Sequence, residues 1–382
     1  MPAMTTMKVV LVLDQFDWRK GGLESWTWQF AQLLRKRGCD VHAVAFGFHP
    51  DAEKETGITA HKLERPRSRT KRAEALERHL RTLDADAIHD MGAGWYADVF
   101  HPHGGSILAT REHNLMRIPR WRRFNFSFSS RHREIREIER RQLAHAGAVI
   151  VAVSNMVKRH FETLNGLPAE KMRVIYNGVD LEKFSPGHRE KFRKPTRAQL
   201  GIGEDETLFF LLAHNLRLKN AVTLIRAMGV LAAQGKPARL VIAGNDRTGP
   251  YAKLAAKSGA SSHVTFLGLV EPVQYYAAAD VAVLPTWYDP CSLFTLEAWA
   301  AGLPVITTAC NGASELMAEG AQGYTLPHPA DHIQLASRME ALLDRAACER
   351  MSAAARELAE RHSFEKQADE FMALYEEVRD AK

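Results

Sequence analysis

Short unbroken apolar runs alternate along the chain with stretches whose apolar positions recur every three or four residues. Lys8–Leu13, Asp40–Phe46, Asp86–His89 and Ala148–Ser154 read as buried strands. Asp98–Gly105 reads as a strand that ends in a glycine loop. Leu23–Arg37 reads as a helix, because Leu23, Trp26, Phe30, Leu33 and Leu34 share one face and Gly38 can close it. Lys71–Leu83 and a stretch ending at Phe161 are helical in the same way. A second series then starts: Thr207–Ala213, Arg239–Gly244, His263–Leu267, Val281–Leu284, Val305–Thr308 and Gly323–Leu326. Helical periods fall between its members. Ser185–Gly203, rich in charge, Gly and Pro, reads as a linker between the two series. Three helical patterns end the chain, at Ala330–Arg345, Ala347–His362 and Phe364–Arg379. Alternation of strand and helix predicts an α/β protein with parallel sheets, and 382 residues are enough for two such domains.

One stretch carries most of the candidate chemistry. The run Val281–Leu284 passes through a Pro- and Asp-containing loop into a predicted helix, Leu293–Ala301, closed by Gly302. Asp289 lies in the loop and Glu297 inside the helix, seven residues apart. The amides of Ser292, Leu293, Phe294 and Thr295 are the unpaired donors of the helix N-terminus, which attract a phosphate. A carboxylate on each side could meet hydroxyls. That is the arrangement needed to hold a pyrophosphate with a sugar at either end.

Further candidates sit at other strand-to-helix loops. In His214–Asn220, the cations Arg217 and Lys219 could reach a pyrophosphate. Gly21-Gly22 follows the first strand and admits close backbone approach. It is not Gly-x-Gly-x-x-Gly, so a dehydrogenase is disfavoured. His103 precedes Gly104-Gly105, and His101 lies two residues earlier. Asp84-Ala-Asp86 precedes a strand rather than following one and is not read as a metal site.

Acid, seven residues, acid, followed by Ala-x-Ala-x-Gly-Leu-Pro-Val, resembles the retaining GT-B glycosyltransferases of family 4, and nearly the whole chain fits. The resemblance implies two Rossmann-like domains facing a cleft: 1–180 for the acceptor, 181–362 for the nucleotide sugar, and a helix over 363–382 packing back on the first. It implies that Asp289 meets the donor sugar, Glu297 the ribose, Arg217 and Lys219 the diphosphate, and His103 the reacting sugar. The loop at Gly21-Gly22 would face pyrophosphate and acceptor, and the loop at Leu269 the nucleobase. Glu is usual where this chain has Asp289, and Gly where it has Asn220. The donor sugar therefore stays open.

Composition adds a partner surface. The chain is 46% hydrophobic and 25% charged, as globular proteins are. No apolar run approaches a membrane span, and no secretory signal is read at the N-terminus. Four scattered cysteines show no metal spacing and favour a reducing compartment. The net charge of +6 is local: Arg111–Arg141 holds ten Arg and four Glu, and the remainder balances at 41 bases and 41 acids. Arg117, Arg120, Trp121, Arg122, Arg123 and Phe124 form a basic, aromatic patch suited to an anionic membrane surface. A solvated helix is the competing explanation. No nucleic-acid module accompanies the patch.

The expectation is a retaining hexosyltransferase that needs no metal or other cofactor. It would move glucose from UDP-glucose to a glycan or lipid-linked acceptor, as lipopolysaccharide-core glucosyltransferases do, on the inner face of the cytoplasmic membrane. A soluble sucrose- or glycogen-type transferase, a nucleotide-sugar epimerase of the same fold and a non-catalytic membrane-binding protein are the alternatives.

Overall fold

The computed structural model describes residues 6–118 and 130–382. Residues 1–176 with 365–382 form one compact unit, and 177–364 form another.

The first unit is built on a seven-stranded parallel sheet: β1 (Lys8–Val12), β2 (Asp40–Ala45), β3 (Thr59–Lys62), β4 (Ala87–Asp90), β5 (Val99–Phe100), β6 (Val149–Ala152) and β7 (Met172–Val174). Its order is β3-β2-β1-β4-β5-β6-β7. The second unit carries six: β8 (Thr207–Leu212), β9 (Ala238–Ala243), β10 (Val264–Gly268), β11 (Val281–Leu284), β12 (Val305–Thr308) and β13 (Gly323–Leu326). They run β10-β9-β8-β11-β12-β13. Helices cover both faces of such sheets, so central strands must be apolar on both sides. Accordingly Val9–Val12 and Phe209–Leu211 are fully buried.

Both sheets reverse direction once. In the first the reversal lies between β1 and β4, in the second between β8 and β11. Loops leaving the C-terminal ends of neighbouring strands diverge there and open a crevice, the usual ligand site of doubly wound sheets. In the second unit those loops are 213–220 and 285–292.

The stretch expected to be a linker is structured. His188–Gln199 is a helix despite Pro195. Arg189, Arg193 and Arg197, four apart, line one face and converge on Asp280 at 3.6, 2.6 and 3.0 Å. Their guanidinium groups also donate to the Ala278 and Ala279 carbonyls that end the helix Val273–Ala278. Long-range partners, invisible in local composition, outweigh the proline and the charge.

In the first unit, the helix Phe364–Asp380 supplies Phe371, Tyr375 and Gln367 to a knot of rings around Trp26. The Gln367 side-chain oxygen accepts from the Trp26 indole at 2.9 Å, and Tyr375 Oη meets His89 Nδ1 at 2.6 Å.

The described half of the basic stretch is the helix Ser130–Ala144. Its acids hold it to neighbouring structure. Glu134 accepts from Ser68 and the Arg69 amide, and Glu139 from the Ile107 amide at 2.8 Å. Glu137 pairs with Arg140 and Arg141. Arg117 ends the helix Ile107–Met116 and donates to Asn114 at 2.8 Å. Arg120, Trp121, Arg122, Arg123 and Phe124 lie outside the described residues. No described helix is long and apolar enough to cross a membrane.

Candidate active site

The switch point of the second sheet gathers residues that are far apart in sequence. Loop 213–220 follows β8 and is fixed from several sides. The Leu216 amide donates to Asp246 at 2.8 Å and the Leu218 amide to Asn215 Oδ1 at 2.9 Å. The Leu218 carbonyl accepts from the Trp287 amide at 3.0 Å and from the Thr286 hydroxyl at 3.2 Å. These last two bonds stitch the β8 loop to the β11 loop.

That stitching sets Lys219 against Asp289. The Lys219 ammonium forms an ion pair with Asp289 Oδ2, and both side chains are largely buried. Asp289 is itself anchored by its backbone. Its amide donates to the Cys310 carbonyl at 2.9 Å, and its carbonyl accepts from the Gly312 amide at 2.8 Å. Arg217 is exposed in the same loop and makes no ion pair among the described residues.

Asn220 resolves the departure at that position. Its φ of 57° is the one positive value for a non-glycine residue among those described. Asn tolerates the left-handed region better than other L-residues, so it can take a conformation suited to Gly. Its side chain is also used: Nδ2 donates to the Pro329 carbonyl at 2.6 Å, and Oδ1 accepts from Thr223 at 3.0 Å. Asn220→Ala should therefore lose about 1–3 kcal/mol, from left-handed strain and two lost hydrogen bonds, and Asn220→Gly less. Urea unfolding of the two variants tests the order. Equal losses would remove the conformational argument.

The helix Leu293–Ala300 begins at Ser292, whose hydroxyl accepts from the Thr295 amide at 3.4 Å. Asn311 holds this turn. Its Oδ1 accepts from the Ser292 amide, and its Nδ2 lies 3.0 Å from the hydroxyl oxygens of both Thr295 and Thr307. The first-turn amides of Leu293 and Phe294 have no intrahelical acceptor. They lie four and five residues beyond Asp289, on the same loop-to-helix turn. One turn further, Glu297 is half-buried and accepts from the Tyr276 hydroxyl at 2.6 Å. Burial raises its pKa, opposed by the Tyr276 bond and the Lys183 charge. Leu269 is 72% exposed on the loop after β10.

The other candidates belong to the first unit. Gly21 has φ 173°, extended backbone that any residue adopts, and Gly22 begins the helix Gly22–Lys36. His103 follows β5 and packs against Trp26, with ring centroids 4.7 Å apart, and against His101 at 3.9 Å. The residue is half-buried, but its Nε2 is sealed from water and has no hydrogen-bond partner among the described residues. Burial drives its pKa down to about 3, so the ring is neutral near pH 7. His101 is fully buried between His89, Trp26 and Phe371, and neither ring nitrogen has a hydrogen-bond partner among the described residues. It is a core residue. Asp86 accepts from the Lys8 amide at 2.7 Å, at the N-terminal edge of the sheet and away from the crevice.

Sequence reasoning did not find Asn311, Tyr276 or Asp246. Each acts by holding a loop or a carboxylate, and no local pattern marks such a residue.

Two family models match the chain. "Glycosyltransferase Family 4" matches residues 20–183, and "Glycosyl transferases group 1" matches 192–358. The chain belongs to the GT-B glycosyltransferases. A curated relative, an uncharacterised glycosyltransferase of Methanocaldococcus jannaschii, is 26% identical over 351 residues, covering 86% of this chain and 87% of that one. The fold is also that of WaaG, a glycosyltransferase involved in lipopolysaccharide biosynthesis. The TM-score is 0.80 at 20% identity, over 96% of this chain and 99% of that chain. Anabaena HepE, solved with UDP and glucose, has a TM-score of 0.74 at 20% identity, over 96% of this chain and 98% of its own. As a GT-B glycosyltransferase the chain is a hexosyltransferase. Its paired loops at the second switch point form the candidate donor site.

Proposed function

We propose that this GT-B enzyme moves glucose from UDP-glucose to a glycan or lipid-linked acceptor, of the kind found in lipopolysaccharide core, with retention at the anomeric carbon. The observation that carries the reading is the ion pair of Lys219 with Asp289 beside the open amides of Leu293 and Phe294. An ammonium and a helix N-terminus favour a diphosphate, and a carboxylate within the same turn favours sugar hydroxyls. HepE, solved with UDP and glucose, supports the donor, and WaaG, named for lipopolysaccharide biosynthesis, supports the acceptor.

The roles follow from position. Arg217, Lys219 and the amides from Ser292 to Thr295 bind and neutralise the leaving diphosphate. Asp289 orients the sugar, and Glu297, steadied by Tyr276, takes the ribose hydroxyls. The Leu269 loop meets the base. In the first unit, Gly21 and Gly22 allow close backbone approach, and neutral His103 serves as a hydrogen-bonding group toward a sugar rather than as an acid. No side chain is assigned as nucleophile. The acceptor hydroxyl attacks the face that the diphosphate leaves, and the departing phosphate oxygen takes its proton. Charge neutralisation is assigned to these side chains and amides without a metal. The basic patch around Arg117–Phe124 holds the enzyme on the anionic inner face of the membrane.

A thermal-shift screen with UDP, GDP, ADP and their common sugar conjugates, without added metal, tests the donor. UDP-glucose at ~100 times its dissociation constant should add about 2.7 kcal/mol of stability. Glu297→Ala should abolish the gain. No shift with any nucleotide would sink the proposal. Donor binding with turnover to an isomer and no transfer would favour the epimerase.

A further inference from the structure

We infer that a cavity at the N-terminal edge of the second sheet binds a phosphate monoester of a small metabolite, with Arg189 and Arg193 as its principal ligands. The site is separate from the donor crevice and stands independently of the glycosyl-transfer reading.

The cavity has a volume of about 820 Å³ and lies between the helices His188–Gln199 and Arg345–Glu360. Thr207, the first residue of β8, and Asp280, which precedes β11, also line it. The donor loops leave the opposite, C-terminal ends of these two strands. β8 has six residues and spans about 20 Å, so one small ligand does not reach both places. The volume is that of a small-molecule site rather than of a bare ion.

Five cations line the cavity: Arg189, Arg193, Lys194, Arg197 and Arg345. The first helix contributes three arginines that share one carboxylate, Asp280. They are not equivalent. Arg197 is buried, and its donors are used on Asp280 and on the carbonyls of Ala278, Gly203 and Glu206. Arg193 meets Asp280 at 2.6 Å and donates to the carbonyls of Ala278 and Ala279. These two side chains already neutralise Asp280 and hold the end of the helix Val273–Ala278. Arg189 adds little to that task. Its one hydrogen bond among the described residues goes to the Ala279 carbonyl at 3.2 Å, and it stands 3.6 Å from Asp280. A guanidinium carries five N–H donors, so most of those on Arg189 stay unused.

Three guanidinium charges against one carboxylate leave an excess of positive charge in a half-buried wall. Burial, and next the charge of Arg193, lowers the Arg189 pKa, with Asp280 opposing. Such surroundings disfavour a cation, and an anion beside it would reverse that. The other acids of the lining do not supply one. Glu206 accepts from the Gly203 amide at 2.7 Å and pairs with Arg239 at 3.4 Å. Glu204 and Glu349 are exposed to solvent.

A phosphate monoester matches this wall. Arg189 and Arg193 are one helical turn apart and present neighbouring forks, each able to take two oxygens. A monoester carries a charge of about −1.5 to −2 at pH 7, against −1 for a carboxylate, and so meets the excess. Lys194 and Arg345, exposed in the same lining, add to the attraction. Ala198, Ile202 and Leu342 offer apolar surface to the organic part.

Isothermal titration of the full chain with glucose 6-phosphate, glycerol 3-phosphate, inorganic phosphate and sulfate tests the site. At least one of the two monoesters should bind with a dissociation constant below about 1 mM. Arg189→Gln should weaken that binding at least about tenfold, while Asp280 keeps Arg193 and Arg197. The double variant Lys194→Gln, Arg345→Gln changes exposed side chains only and should weaken binding by about threefold; it decides the matter should Arg189→Gln not fold. Lys219→Ala, in the donor crevice, should leave the monoester's affinity unchanged. No monoester binding below about 1 mM, affinity unmoved by Arg189→Gln or, failing that variant, by the double one, or binding lost in Lys219→Ala and kept in Arg189→Gln would each overturn the inference. Sulfate or inorganic phosphate binding as tightly as the monoesters, and lost in about 0.15 M salt, would mean an adventitious ion only and would overturn it as well.

Discussion

Replacing Lys219 with Ala lowers turnover at least about tenfold, the low end for losing one preorganised charge at a developing anion. The ion pair with Asp289 sharpens this expectation, because the substitution has a second consequence. It leaves a largely buried carboxylate without its cation, which costs stability as well as activity. The two effects can be separated. Lys219→Ala alone should lose both turnover and stability. Lys219→Ala combined with Asp289→Asn should regain much of the stability, because no unpaired charge is left, and none of the turnover. Lys219→Arg is not a conservative control, since a planar fork replaces a compact ammonium. Initial rates and urea midpoints for the three variants provide the measurement. Near-normal turnover in Lys219→Ala would end the assignment of Lys219 to the diphosphate. In the unliganded enzyme the pair keeps both groups in place.

Acid should unfold the unit built on β1–β7 ahead of the other. Five imidazoles with a lowered pKa belong to it: His61, His89, His101, His103 and His160. Burial is the leading cause in each case. These rings are neutral in the folded state, whereas the unfolded chain protonates them near pH 6.5. Below that pH the unfolded state binds more protons, so stability falls as pH falls. The loss continues to about pH 4 for His160 and about pH 3 for His103. At pH 4 His103 alone accounts for a loss of about 3 kcal/mol.

Carboxylates raised by burial oppose this. Burial raises the Asp90 pKa to about 6, despite three amides from Gly92, Ala93 and Gly94, so it takes up a proton in the folded state first. Glu24, Glu139 and Glu370 are raised too. Asp17, Glu77, Glu134 and Glu137 are lowered by their partners and add to the acid loss. Hydrogen exchange read by segment at pH 7.5, 6 and 5 should show protection lost first in 6–118, 130–176 and 365–382. His101→Phe removes two buried nitrogens without partners and should stabilise the unit at pH 7 by about 1–3 kcal/mol and flatten its acid profile. Equal acid sensitivity in the two units would contradict the prediction.

Much of this enzyme is legible in its residues. Unbroken apolar runs of four to six residues, rich in β-branched side chains and bounded by turn residues, suit strands buried on both faces. Their alternation with helical periods determined two parallel α/β units. The spacing of Asp289 and Glu297 around a helix start, and the paired cations of the 214–220 loop, pointed to a pyrophosphate with a sugar at each end, and the resemblance to family 4 made it a nucleotide sugar. Such signals survive because they are local: side-chain period and helix-start chemistry lie within a dozen residues.

The tertiary structure decided what depends on partners. Ser185–Gly203 looks like a linker until the carbonyls of Ala278 and Ala279 and the carboxylate of Asp280 meet its arginines. Asn220 looks like an altered loop until its positive φ is seen. Lys219 and Asp289 lie 70 residues apart and meet only because β8 and β11 are adjacent in the sheet though not consecutive in the chain. Strand order arises from which faces pack together across the whole unit, and no window of sequence contains that information.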